Sequence, residues 1–167
     1  MALHDTRLLK GCEEQRLPGI YLLLFRLAEE VEVVVGRLGK LAFPKGWYGY
    51  VGSGMGGVGS RVRRHLRPHD HPHWHLDYLL PHGTATAVVV AQTSERLECS
   101  LAGSLAASLR VFPRFGSSDC RCPGHLFHSC GFAPVVKASV NGMKGVGCTP
   151  IITLDPTHNP IRLGKLR

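Results

Sequence analysis

Arg61 and His65 lie four residues apart within residues 57–67, a spacing that sets a guanidinium and an imidazole on one face of a helix. The planar guanidinium suits a pair of phosphate oxygens, and Arg63, Arg64 and Arg67 beside it would hold neighbouring phosphates without reading a base sequence. Two further groups offer metal chemistry. His71, His73, His75 and Asp77 alternate along HPHWHLDY, so an extended backbone would turn all four to one side, as ligands of a zinc-dependent hydrolase or as histidines around a turn. Residues 119–130 carry Cys120, Cys122, His125, His128 and Cys130, which read either as ligands of a structural Zn²⁺ or as thiols buried in a tight loop. The paired C-x-x-C knuckles of a zinc ribbon are absent.

These side chains need a scaffold to converge, and 167 residues with 44% hydrophobic content supply one domain's worth of core. Apolar or aromatic runs at 19–27 (GIYLLLFRL), 31–36 and 46–52 (GWYGYVG) read as strands of a small meander, joined through Gly36, Gly39, Pro44 and Gly46. Residues 57–67 follow as a helix, because Val58, Val62 and Leu66 recur every fourth position and Pro68 stops it. Beyond the histidines, 84–93 reads as a buried strand. Ser94 then caps a helix with Glu95 in its first turn and Leu97, Leu101, Leu105 and Leu109 as its core stripe, before Pro113. Strands at 125–129 and 135–140 and a Gly/Pro-spaced tail from Asn141 complete the chain. The expected fold is α/β of the α+β kind, a small mixed or antiparallel sheet flanked by helices. An N-terminal extension (1–16), a principal domain (17–140) and a C-terminal tail or arm (141–167) make up the expected organisation.

Twenty Lys and Arg against 12 Asp and Glu leave a net charge of +8, and residues 33–69 contain no acid at all. A polyanionic partner, nucleic acid first, follows from that balance. No apolar run is long enough for a bilayer, and the early acids of MALHDTRLLKGCEEQRL leave no apolar signal-peptide core, so the expectation is a soluble, cytoplasmic protein without a membrane. Six cysteines (Cys12, Cys99, Cys120, Cys122, Cys130, Cys148) then point to reduced thiols or a metal site over a disulfide framework.

Gly19-Ile20-Tyr21 and Tyr50-Val51-Gly52 precede the Arg-rich helix. With the continuation YVGSG, the Arg61/His65 pair and Glu98 in ERLECSLAGSL, the chain resembles the GIY-YIG nuclease superfamily. The segments YVGSG, RHLR, HWHLDYLL and FGSSDCRCPGHLF are similar to its Uri-type branch, kin to repair and intron-encoded endonucleases. The resemblance implies a divalent-metal-dependent endonuclease hydrolysing DNA phosphodiester bonds, with RNA left open and a partner protein as one source of targeting. It implies Tyr21, Tyr50, Arg61, His65 and Glu98 as catalytic residues, Glu98 as the ligand of Mg²⁺ or Mn²⁺, and His75 and Asp77 as braces of the site. Branched, damaged or single-stranded DNA would be the substrate. Two departures from the pattern matter. The stretch between Tyr21 and Tyr50 is longer than the family hairpin and leaves room for an extra strand or loop, and Pro113-Arg114-Phe115-Gly116 stands where related nucleases carry an Asn. A non-catalytic nucleic-acid-binding module on the same fold is the alternative.

Phosphodiester hydrolysis needs an activated water, positive charge on the non-bridging oxygens and help for the departing oxygen. Tyrosine is a poor base as it stands, with an ordinary pKa near 10; bringing it to about 7 requires roughly 4 kcal/mol. A cation about 4 Å away at an effective dielectric near 20 supplies roughly that amount. The expectation is therefore that Arg61, a metal or a protonated His65 lowers one phenol. The resemblance favours Tyr21 as base with Tyr50 positioning water and phosphate, the reverse assignment staying open.

Overall fold

The structure is a computed structural model that describes residues 16–158; nearly all of the expected N-terminal extension, Cys12, and the end of the expected tail lie outside the described residues. Its centre is a sheet of six strands: β1 (Gly19–Leu27), β4 (Gly46–Gly54), β5 (Thr84–Gln92), β6 (Arg110–Phe112), β7 (Leu126–Ser129) and β8 (Ile151–Leu154). They lie in the order β6-β7-β4-β1-β5-β8, and every pairing is antiparallel. A separate hairpin, β2 (Val31–Val35) with β3 (Gly39–Phe43), fills the long stretch between β1 and β4. The extra length is therefore a looped-out hairpin, and it leaves β1 and β4 direct neighbours.

Among the described residues four α-helices cover the sheet: α1 (Val58–Leu66), α2 (His75–Leu79), α3 (Glu98–Ala106) and α4 (Phe132–Gly145). Tyr21, Leu23, Phe25 and Leu27 of β1 pack with Val58 and Val62 of α1, Leu76 and Leu79 of α2, and Val33, Val35 and Phe43 of the hairpin. The alternate residues, Ile20, Leu22 and Leu24, pack with Leu101 and Leu105 of α3 and Val135 and Met143 of α4. Both faces of β1 are buried, which is why it reads as an unbroken apolar run instead of an alternation. Each such leucine contributes roughly 1.5–3 kcal/mol by burial. The fold is thus an α+β sheet flanked by helices, as its patterning implies.

Several local expectations are corrected. The run at 135–140 is helical, not a strand: Val135, Ser139, Gly142 and Met143 are the buried positions of α4, a 3.6-residue period visible only beyond Val140, and Pro134 falls in the first turn, where proline is tolerated. That helix runs through Asn141, and β8 then pairs with β5, so this part of the expected tail is built into the fold. The helix expected from Ser94 begins only at Glu98, because Thr93 Oγ1 accepts the Glu95 N–H and holds that segment in a turn, and it ends at Ala106. Lastly, His71, His73, His75 and Asp77 do not share an extended strand, since His75 and Asp77 lie in α2.

One feature of the sheet creates a site. β7 pairs with β4 from Trp47 only as far as Tyr50, where Leu126 is its partner. Past Tyr50 that edge of β4 bonds to the loop instead, Val51 N–H donating to the His125 carbonyl at 2.9 Å. The loop between Phe112 and Leu126 and the first turn of α3 close in there.

Candidate active site

Tyr21 pairs with Gly52 across the β1–β4 ladder, and Leu23 pairs with Tyr50, so both tyrosines point to the same face as diagonal neighbours. A Cβ on Gly52 would collide with the Tyr21 hydroxyl; the glycine is what lets the phenol lie across β4. On α1, Arg61 and His65 follow the same face toward them. The Tyr21 hydroxyl is 2.8 Å from His65 Nε2, and His65 Nδ1 is 3.0 Å from Asp77 Oδ1. Asp77 is fully enclosed, and its other oxygen accepts from Arg64 (3.0 Å) and from the backbone N–H groups of His73 (2.9 Å) and Trp74 (3.0 Å). At the third position of α2 it also satisfies the amide that precedes its own helix.

The protons in this chain can be placed. Burial would push the Asp77 carboxyl up, but the hydrogen bonds from His65, the two amides and Arg64 outweigh it and hold the group well below the usual carboxylate range. An ionised Asp77 can only accept, so His65 Nδ1 carries hydrogen. Burial lowers the His65 pKa against the pull of Asp77, which keeps the ring neutral and leaves Nε2 as an acceptor. Tyr21 therefore donates its O–H to His65. The expectation of a lowered phenol is corrected: burial pushes both Tyr21 and Tyr50 above their ordinary value, and neighbouring negative groups add to this, outweighing Arg61. Desolvation is the larger effect because both rings are almost wholly enclosed.

Tyr21 and Tyr50 reach a polar cavity of about 420 Å³ whose wall includes Ser53, Arg61, Trp74, Glu98 and Asp119. Arg61 lies over the Trp74 ring at 4.4 Å, as does Arg64 at 4.0 Å, so the indole fixes two guanidinium groups at once. Glu98, the first residue of α3, arrives from the opposite side of the sheet, around the edge that β7 leaves. Its Oε2 accepts from Ser53 Oγ at 2.5 Å, and its Oε1 lies 2.8 Å from His125 Nδ1. Burial raises its pKa, but His125, Ser53 and the charge of Arg61 reverse this and keep the carboxyl ionised. His75 also reaches the cavity and accepts the Gly116 N–H on Nδ1 at 2.9 Å. Gly116 sits at φ +76°, and a Cβ there would press on the Tyr50 ring, so the PRFG turn fits tightly under that phenol. The other arginines divide: Arg64 is committed to Asp77, Arg63 touches Ser60 Oγ at 3.3 Å, and Arg67 is exposed.

Beside Glu98 lies a second group. Cys99, Cys120, Cys122 and His125 bring their ligand atoms within 4.8 Å of one another and could hold a metal ion; among the described residues no other set of three or more His, Cys, Asp or Glu does so. Cys130, expected as a ligand, is not in the group, and Cys99, from α3, takes its place. Spacing along the 119–130 loop does not reveal Cys99, which comes from a helix distant in sequence and whose signal is its position next to Glu98. Nor do His71, His73, His75 and Asp77 form a metal group, since Asp77 is spent on His65 and Arg64. Ser53, Trp74 and Asp119 also belong to the cavity; the segments YVGSG, HWHLDYLL and FGSSDCRCPGHLF contain them, but no spacing singles them out.

Fold and site together define an α+β domain with a polar, mixed-charge cavity at the edge of a doubly covered antiparallel sheet. The chain belongs to the family described as domain of unknown function DUF123, which matches residues 20–148. That family is distinct from the GIY-YIG nucleases, so the resemblance drawn from Gly19-Ile20-Tyr21, Tyr50-Val51-Gly52 and the Arg61/His65 pair is overturned. Both glycines have packing reasons of their own: Gly52 lies opposite Tyr21, whose hydroxyl a Cβ would strike, and a Cβ at Gly19 would strike the Ala91 carbonyl oxygen. No curated protein and no solved structure matches the chain. Among the described residues no helix is long and apolar enough to cross a membrane.

Proposed function

We infer that the cavity hydrolyses phosphodiester bonds, with DNA as substrate and a divalent cation at Glu98. The observation that carries this reading is the hydrogen-bonded chain Tyr21–His65–Asp77 opening into a cavity shared with Arg61 and an ionised Glu98. In it, water gives a proton to Tyr21 Oη as the phenol passes its own to His65 Nε2, and Asp77 offsets the charge that appears on the imidazole. No free phenolate is needed, which fits two phenols whose pKa values are raised. Arg61, oriented by Trp74, meets the non-bridging oxygens, and Tyr50 holds water or phosphate in line.

Glu98 suits a hard cation such as Mg²⁺ or Mn²⁺, because its carboxyl is held ionised at the wall of a polar cavity with room for water and phosphate oxygens as further ligands. Such an ion supplies charge stabilisation for the phosphoryl and departing oxygens. The softer thiol group nearby calls for a metal of another kind, such as zinc.

End-labelled duplex, single-stranded and branched DNA and RNA, incubated with the protein and Mg²⁺ or Mn²⁺, test the reading. Cleavage of a DNA form that Glu98→Ala abolishes is the expected result. Salt-sensitive binding without cleavage of any substrate by the wild type would replace it with a binding module.

A further inference from the structure

The His125 ring is buried between two chemically different neighbours. Its Nδ1 lies 2.8 Å from Glu98 Oε1 without the alignment of a straight hydrogen bond, and its Nε2 lies 3.5 Å from Cys120 Sγ. Cys99 follows Glu98 in the first turn of α3, so the same helix end supplies the carboxylate and a thiol. Cys120 and Cys122 come from the loop that ends at His125, and the ligand atoms of all four residues lie within 4.8 Å of one another. At zinc bond lengths of about 2.3 Å to sulfur and 2.0 Å to nitrogen, tetrahedral ligands sit roughly 3.5–3.8 Å apart, a small contraction from what is seen. Three thiols and an imidazole are a soft donor set, and four protein ligands leave no open position for substrate.

We propose that Cys99, Cys120, Cys122 and His125 Nε2 bind a structural Zn²⁺, and that the metal fixes the His125 ring so that Nδ1–H aligns with Glu98 and holds its carboxylate at the cavity wall. The ion pins the loop to α3, while His125 acts as a positioning residue for Glu98. A metal-bound imidazole that donates its other N–H to a carboxylate is a recurrent arrangement which sets the tautomer and strengthens both contacts. The zinc site stands without the phosphodiesterase reading; only the catalytic value of placing Glu98 rests on it.

Full-length protein produced with zinc and kept reduced is assayed by inductively coupled plasma mass spectrometry, and after exchange by Co²⁺ absorption. Equimolar zinc and sulfur-to-cobalt charge-transfer bands are expected, both lost in Cys99→Ser and Cys122→Ser and kept in Cys130→Ser. A folded wild type, checked by circular dichroism, that holds neither metal overturns the site. So does full affinity in Cys99→Ser, or an intact mass two hydrogens short that maps to a disulfide within the group. For the link to Glu98, chelator competition should show zinc bound about 10–100-fold more weakly in Glu98→Ala. Unchanged affinity there overturns the link and leaves the metal. None of these readouts involves nucleic acid, so a protein that binds zinc and cleaves nothing removes the phosphodiesterase reading alone.

Discussion

The two walls of the cavity are built differently. On the β1–α1–α2 side the Tyr21 hydroxyl, both His65 ring nitrogens, both Asp77 oxygens and an Arg64 N–H are hydrogen-bonded to one another, with His69 Nε2, 3.7 Å from Asp77 Oδ1, the buried donor left over among the described residues, and the proton positions follow from those bonds. On the α3 side, Glu98 meets a histidine that is close but misaligned, and three thiols crowd together. Burial and the neighbouring sulfurs push the Cys122 thiol up to about 12. A wall whose reacting groups are bonded to one another can set its chemistry on folding; a wall that brings three thiols and an imidazole within ligand distance of one another is shaped for something added.

The largest effect is expected at Glu98, on which the proposed divalent cation rests. Glu98→Ala should lower cleavage by about 10³-fold or more. Compared after zinc has been removed from both proteins, its melting temperature should stay close to that of the wild type, since the residue is partly exposed, whereas with zinc bound the variant should melt lower because the metal is held more weakly. On the opposite wall the same style of change should act on both properties. Asp77→Asn removes the acceptor that fixes the His65 tautomer, and a loss of about 10²–10⁴-fold in kcat is expected with KM little changed. It also weakens charge-assisted bonds worth roughly 1.5–3 kcal/mol each, visible in urea unfolding. Equal KM and kcat effects would show that Asp77 serves only the fold.

Gly52→Ala probes the same wall by size. The added methyl meets the Tyr21 hydroxyl, and overpacking of this sort costs about 1–3 kcal/mol. Melting temperature reads the loss. A variant as stable as the wild type would show that the Tyr21 ring has room to move, which the hydrogen bond to His65 denies it.

Acid should loosen the wall of bonded groups in two stages. His65 is neutral in the fold with a lowered pKa, so the unfolded chain takes up protons more readily once pH drops below about 6.5. Stability is then fully present above that value and declines as pH falls from about 6.5 toward the folded pKa. Asp77, also lowered, adds a second decline below about pH 4. Unfolding free energy measured from about pH 8 to about pH 5 should fall less steeply in His65→Gln than in the wild type. An equal slope would move the first stage to another group, such as His75, whose pKa burial also lowers.

How much of this was legible in the sequence depended on the range of the interaction. β1, β4, β5 and α1 follow from local runs and spacing because burial repeats within each element. The 135–140 segment misled because a β-branched run looks alike in strand and helix until Ser139, Gly142 and Met143 reveal the period. The tyrosines, Arg61 and Glu98 were nameable, and the structure brings them to one cavity, yet the kinship that suggested them was wrong. What stayed hidden were partners chosen by tertiary contact: Trp74 under two arginines, Ser53 on Glu98, and Cys99 in place of Cys130. The sign of the tyrosine shifts was hidden as well, because arithmetic on a nearby cation carries no measure of burial.

The smallest predicted effect separates the arginines that face inward from those that face out. Removing a side chain that neutralises one phosphate should reduce the salt dependence of DNA binding by about one unit in the slope of log affinity against log salt. Arg67 is exposed past the end of α1, so Arg67→Ala should show that reduction with stability within about 0.5 kcal/mol of the wild type. Arg64 is bonded to Asp77 and stacked on Trp74, so Arg64→Ala should leave the slope unchanged and lower stability instead. A slope that falls equally for both would mean that Arg64 releases Asp77 to reach a phosphate, and the wall that is complete in the free protein would have to open on binding.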